Sequence, residues 1–131
     1  MERATQEPKP LRVLVVEDDD ETRLMLREAL TDEGFEVITA QDGLHALRTA
    51  AAGSPDAIVL DFDLPLMSGP ECVHEWRSRR HDRQVPVIGM SALREGPIVA
   101  RDLQLTTFLQ KPFEIDTLIS AIRSDTARAH A

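Results

Sequence analysis

Short runs of β-branched and aliphatic residues alternate with helix-spaced segments along nearly the whole chain, and this rhythm admits few folds. RVLVV (Arg12 to Val16), FEVIT (Phe35 to Thr39), AIVLD (Ala57 to Asp61), PVIGM (Pro86 to Met90) and TFLQ (Thr107 to Gln110) each read as a strand. Between them the apolar positions change to helical spacing. Met25, Leu26, Ala29 and Leu30 fit a helix from Thr22 that Gly34 would close. Leu44 to Ala52 fit a second, ending near Gly53. Cys72, Val73 and Trp76 share one face of a third, over Pro70 to Arg80. Pro97, with Gly96 before it, suits the first turn of a short fourth. Ile115, Leu118, Ile119 and Ile122 mark one face of a fifth. Strands that alternate with helices at this spacing form βαβ units and a parallel sheet. The runs lack polar alternation, as expected of strands buried on both sides. The expectation is an α/β, doubly wound, five-stranded parallel sheet.

The 131 residues fit one domain. A chain of this length buries roughly two-thirds of its unfolded surface without disulfide staples. Residues 1–10 are polar and contain Pro8 and Pro10, so they read as a flexible lead-in. The domain is expected over 11–127, with a tail at 128–131. A net charge of −8 and a pI near 4.9 argue against nucleic-acid binding, which needs a basic face. The first ten residues lack the apolar core of a signal peptide, and no apolar run has membrane-spanning length. With a single cysteine and so no internal disulfide, a cytoplasmic location is expected.

In open sheets of this type, ligands bind outside the carboxyl ends of the strands. The first strand ends in Glu17 and Asp18. The third ends in Asp61, with Asp63 just beyond. Ser91 follows the fourth, and Lys111 with Pro112 follows the fifth. Carboxylates crowded at one edge raise each other's pKa values. A divalent cation makes the cluster favourable, and oxygen-only ligands suit Mg²⁺ (or Mn²⁺). No His–Cys arrangement offers a zinc site. A metal, a lysine and a hydroxyl facing one carboxylate would neutralise a phosphoryl group. Asp61 is then the candidate nucleophile, accepting phosphorus in an in-line displacement.

RVLVVEDD, AIVLDFDLPLMSG, VIGMSA and FLQKPF, in that order, resemble the receiver domain of two-component response regulators, the CheY-like superfamily. The resemblance covers roughly Arg12 to Ala127. It implies a flavodoxin-like fold with strand order 2-1-3-4-5. It implies phosphotransfer to Asp61 from a sensor histidine kinase or a histidine phosphotransfer protein, and an output partner that the sequence does not name. It implies a metal held by Asp18, Asp61 and the backbone carbonyl of Asp63, with Glu17 acting in part through water. Ser91 and Lys111 would contact the phosphoryl group, and the Lys111–Pro112 peptide bond would be cis. Phe108 occupies the place of an aromatic that turns inward as Ser91 moves, which would change the face of the fourth helix, fifth strand and fifth helix. Homodimerisation through that face occurs in the family. Such a domain is a phosphoacceptor and not an enzyme on other substrates. Ser91 stands where threonine is commoner. The segment from Ser91 to Lys111 is about two residues short, so a shortened fourth helix is expected.

Two other functions remain open at this level. DFD resembles the opening of haloacid-dehalogenase phosphatases, whose second aspartate is a general acid; Leu64 and Pro65 fit that pattern poorly. A pseudo-receiver that binds a partner without phosphorylation is the other. Plainer roles also apply. Asp19, Asp20 and Glu21 read as capping residues, Cys72 and Trp76 as core, and RSRRHDR (Arg77 to Arg83) as a solvated helix end. His45, His74, His81 and His130 have no evident partner. Asp63 is expected to be exposed, its backbone offered to the metal and its side chain free to tune water access.

Overall fold

The computed structural model describes residues 9–79 and 84–129. The elements run β1 (Arg12–Val16), α1 (Asp20–Asp32), β2 (Glu36–Ala40), α2 (Gly43–Gly53), β3 (Ala57–Asp61), α3 (Gly69–Arg79), β4 (Val87–Ser91), α4 (Gly96–Asp102), β5 (Thr107–Gln110) and α5 (Ile115–Ala129). All strand pairs are parallel, and the sheet order is β2-β1-β3-β4-β5. This is the flavodoxin-like doubly wound sheet that the strand rhythm and the motif resemblance anticipate. Most of the lead-in, the last four residues of RSRRHDR (80–83, with His81 among them) and His130 lie outside the described residues.

Successive residues of a strand point to opposite faces, and β1 shows how the core divides. Val13 and Val15 pack with Leu26 and Leu30 of α1 and Leu118 and Ile122 of α5. Leu14 and Val16 pack on the other face with Ala46 and Leu47 of α2 and Val73 and Trp76 of α3. Both faces are covered, which is why the strands read as continuous aliphatic runs. Cys72 and Trp76 are buried as expected. Met25 is not on the core face of α1; it is 51% exposed.

Local chemistry fixes where the helices begin. Asp19 caps α1 by accepting from the Thr22 amide at 2.9 Å. Asp42 caps α2 by accepting from the His45 amide at 2.8 Å. Ser68 and Glu71 form a reciprocal box at the start of α3: each accepts from the other's amide, at 3.2 and 2.9 Å. Gly34, at φ +98°, lets the chain turn from α1 into β2. Helix α4 is short, seven residues, and begins at Gly96 with no side-chain cap. Helix α5 continues to Ala129, past the expected boundary at 127.

Parallel register brings all five carboxyl ends to one edge. Asp61 pairs with Met90 and Ser91 with Gln110. Backbone bonds continue past the strands: Glu17 donates to the Ala40 carbonyl at 3.1 Å, Phe62 to Met90 at 2.9 Å and Lys111 to Ser91 at 2.9 Å. The first residues of the loops are therefore held as firmly as the strands.

Candidate functional site at the carboxyl edge

Glu17, Asp61 and Ser91 are 1%, 4% and 1% exposed, while Asp18 is exposed. Ligand atoms of Glu17, Asp18 and Asp61 all lie within 4.8 Å of one another. Lys111 reaches into this cluster from the far side of the sheet. Its Nζ donates to Glu17 Oε1 at 2.8 Å and to Asp61 Oδ2 at 3.1 Å. The other Asp61 oxygen, Oδ1, accepts from the Asp63 amide at 2.9 Å. Glu17 Oε2 accepts from the Asp19 amide at 3.2 Å. The Lys111–Pro112 peptide bond is cis.

Burial pushes the Glu17 carboxyl above the ordinary range, and the Asp61 charge adds to it; the Lys111 hydrogen bond and the Asp19 amide work the other way. Burial alone would lower Lys111, but its bonds to Glu17 and Asp61 outweigh that and raise it. The lysine therefore stays charged and compensates only part of the cluster. Two carboxylates and one exposed partner, all oxygen donors, present the ligand chemistry of a hard divalent cation. The cluster fits Mg²⁺ on these grounds.

Ser91 is oriented by two bonds. Its Oγ accepts from the Leu93 amide at 3.0 Å and donates to Asp63 Oδ2 at 3.0 Å. The Asp63 residue is exposed as expected, but its side chain is not free. Phe108 is half-buried, and its ring stacks on Phe62, with centroids 5.6 Å apart and planes 24° from parallel. A methyl group on Gly89 would overlap the Phe62 ring, and one on Gly96 the Phe108 ring. Gly69 packs where a Cβ would stand 2.7 Å from the Asp61 carbonyl.

The structure thus gathers Glu17, Asp18, Asp61, Asp63, Ser91 and Lys111 at one edge, with Phe108 behind them. Sequence reasoning missed two neighbours. Arg23 donates to the Glu17 carbonyl at 2.9 Å and pairs with Asp20 at 2.6 Å, so α1 braces the acidic turn. Phe62 was the other; a glycine inside the β4 run is the signal that a bulky group approaches there. His45 has a neighbour after all, since the Gln41 amide donates to its Nδ1 at 3.4 Å. No helix among the described residues is long and apolar enough to cross a membrane.

Comparison with known proteins agrees with this geometry. Residues 13–123 match the response regulator receiver domain family. The chain is 35% identical over 113 residues to the transcriptional regulatory protein PrrA of Mycobacterium tuberculosis, covering 86% of this chain and 48% of PrrA. Response regulator MprA of Mycobacterium sp. is 35% identical over 115 residues, covering 88% of this chain and 50% of MprA. The chain thus spans about half the length of these curated relatives. Among solved structures, the chemotaxis protein CheY4 of Vibrio cholerae superposes with a TM-score of 0.79 at 31% identity, covering 88% of this chain and 98% of CheY4. The receiver domain of sensor histidine kinase PA1611 from Pseudomonas aeruginosa gives 0.82 at 27% identity, covering 90% and 98%; that protein holds a magnesium ion in its active-site cleft. With the strand order, the acidic cluster and these matches in agreement, the chain belongs to the response regulator receiver domain family of two-component signalling, and not with the dehalogenase-type phosphatases.

Proposed function

We propose that this domain accepts a phosphoryl group on Asp61 from the phosphohistidine of a sensor histidine kinase or histidine phosphotransfer protein in the cytoplasm. In that step the phosphorus–nitrogen bond of the donor breaks and a phosphorus–oxygen bond forms to the Asp61 carboxylate. The imidazole leaves with the electron pair of the broken bond. One observation carries the reading. The Asp61 carboxylate is held at both oxygens, by the Asp63 amide and the Lys111 ammonium, at the rim of an acidic cluster that a single lysine does not neutralise. A carboxylate oriented before its reactant arrives loses little further freedom on reaction.

Mg²⁺, or Mn²⁺ in its place, would be held by Asp18, Asp61 and the backbone carbonyl of Asp63, with Glu17 acting in part through water. Bound there, it supplies positive charge against the phosphoryl oxygens. Lys111 supplies a second cation on the Asp61 side. Ser91 supplies a hydroxyl donor once it is released from Asp63. Phe108 follows Ser91 by repacking against Phe62 and Gly96, which alters the surface of α4, β5 and α5 for an output partner or a second copy. With α4 only seven residues long, that surface is smaller than a full helix would give.

Intact mass after incubation with a small-molecule phosphodonor and Mg²⁺, beside Asp61→Asn, tests the proposal. Gain of one phosphoryl group, lost in the variant and on chelation, is the expected result. Mg²⁺ binding with neither phosphoryl gain nor binding of a stable phosphoryl mimic would turn the reading toward a pseudo-receiver.

A further inference from the structure

The Ser91 hydroxyl has one hydrogen, and Asp63 holds it. Ser91 is 1% exposed, so no bulk water competes for that hydrogen. Its oxygen is already engaged by the Leu93 amide at 3.0 Å, which fixes the rotor, and the hydrogen points along the 3.0 Å line to Asp63 Oδ2. Hydrogen bonds to an ionised acceptor are the stronger kind. Asp63 also touches the phosphoacceptor through its amide, which donates to Asp61 Oδ1. A single residue two places beyond Asp61 thus grips both the nucleophile and the hydroxyl intended for its phosphoryl group. We infer that Asp63 is a positioning residue whose carboxylate latches Ser91 in the unphosphorylated form. A phosphoryl oxygen can recruit the Ser91 hydroxyl only by taking it from Asp63. The latch rests on the phosphoacceptor reading and adds to it a built-in opposition to the phosphorylated state.

The carboxylate also brings a negative charge near an anionic group, and this second effect must be separated from the hydrogen bond. Asparagine keeps an acceptor oxygen without the charge, and alanine removes both. The experiment measures affinity for beryllofluoride, a stable phosphoryl mimic, with saturating Mg²⁺, by NMR. The proteins are wild type, Asp63→Asn, Asp63→Ala, Ser91→Ala and the Asp63→Ala/Ser91→Ala double variant. Asp63 is exposed, so both of its variants are expected to fold, and dispersed amide spectra check this. Breaking a charge-assisted hydrogen bond should let Asp63→Ala bind about tenfold more tightly than wild type. In the Ser91→Ala background the same change should matter about twofold or less, because there is no hydroxyl to hold. The Leu93 amide resonance should move in Asp63→Ala before any mimic is added. Equal tightening in both backgrounds, or none in either, overturns the latch while leaving Asp61 as phosphoacceptor. Failure of all five proteins to bind the mimic, with Mg²⁺ still binding, overturns the phosphoacceptor reading and the latch with it.

Discussion

Lys111 Nζ lies 3.1 Å from Asp61 Oδ2 across 50 residues of sequence, and the same ammonium lies 2.8 Å from Glu17. This lysine is the internal counter-charge of the acidic edge. Replacing it with alanine should destabilise the metal-free protein by roughly 1–3 kcal/mol, below the range for a fully buried pair because a quarter of the lysine side chain stays in water. Urea unfolding in chelator measures the loss. Added Mg²⁺ should close part of the gap, since it neutralises the same two carboxylates.

Mg²⁺ itself should stabilise the wild-type fold. At a concentration ten times its dissociation constant the gain is about 1.4 kcal/mol. A thermal melt series in Mg²⁺ should rise with the logarithm of concentration once it exceeds the dissociation constant. Asp18→Asn removes the exposed carboxylate of the cluster and should abolish most of the rise while leaving the metal-free melt nearly unchanged.

Besides Glu17 and Asp61, a third buried acid among the described residues lies at the opposite end of the sheet. Asp125 is 4% exposed, accepts from the Thr107 hydroxyl at 2.7 Å and pairs with Arg128. Asp125→Ala strands the Thr107 hydroxyl and should cost about 2–3 kcal/mol in chemical denaturation. Phosphorylation rate, normalised to folded protein, should not change, because the site is assembled at the other edge.

The Phe62–Phe108 stack depends on the glycines beneath it. Gly89→Ala places a methyl group in the Phe62 ring and should cost about 1–3 kcal/mol by overpacking. Gly89→Ala with Phe62→Leu should recover part of that loss. Unfolding free energies of the two single variants and the double variant form the cycle that checks it.

Burial pushes the Cys72 thiol from 9.0 up to about 11. The folded state therefore favours the neutral thiol. That contribution is full below pH 9.0 and is lost as pH rises through about 11. Stability measured against pH should fall over that window, and Cys72→Ala should remove this part of the slope. Thiol labelling at neutral pH should follow unfolding.

Much of this was legible in the chain because parallel strands buried on both faces read as plain aliphatic runs. The acids, hydroxyl and lysine that interrupt or follow them had to fall at one edge once the sheet was parallel. The boundaries drifted where local turns decide them: β2 starts at Glu36 because Phe35 packs under α1 and α5, and β4 extends to Ser91. What strand rhythm does not encode is contact between side chains of two loops. The Ser91–Asp63 hydrogen bond depends on the path of the chain after β3, including Leu66 at φ +68°. The Phe62–Phe108 stack depends on which way the Phe62 ring turns as the chain leaves β3, toward Phe108 inside β5. The motif order pointed to Phe108, but nothing in it named Phe62 as the partner.

The bond between Glu17 and Lys111 spans 94 residues, from a central strand to the edge strand β5. Contacts of such separation form late, because loop closure must precede them. Until β5 docks, Glu17 and Asp61 face each other with no ammonium between them. Any species that has formed β1 and β3 but not β5 carries this repulsion, and the last strand relieves it on arrival. Refolding should accordingly quicken in millimolar divalent cation, which can stand in for the missing lysine. A chain truncated before Lys111 should collapse without acquiring the ordered acidic edge. The chemistry of the site is in this sense also a record that the sheet is complete.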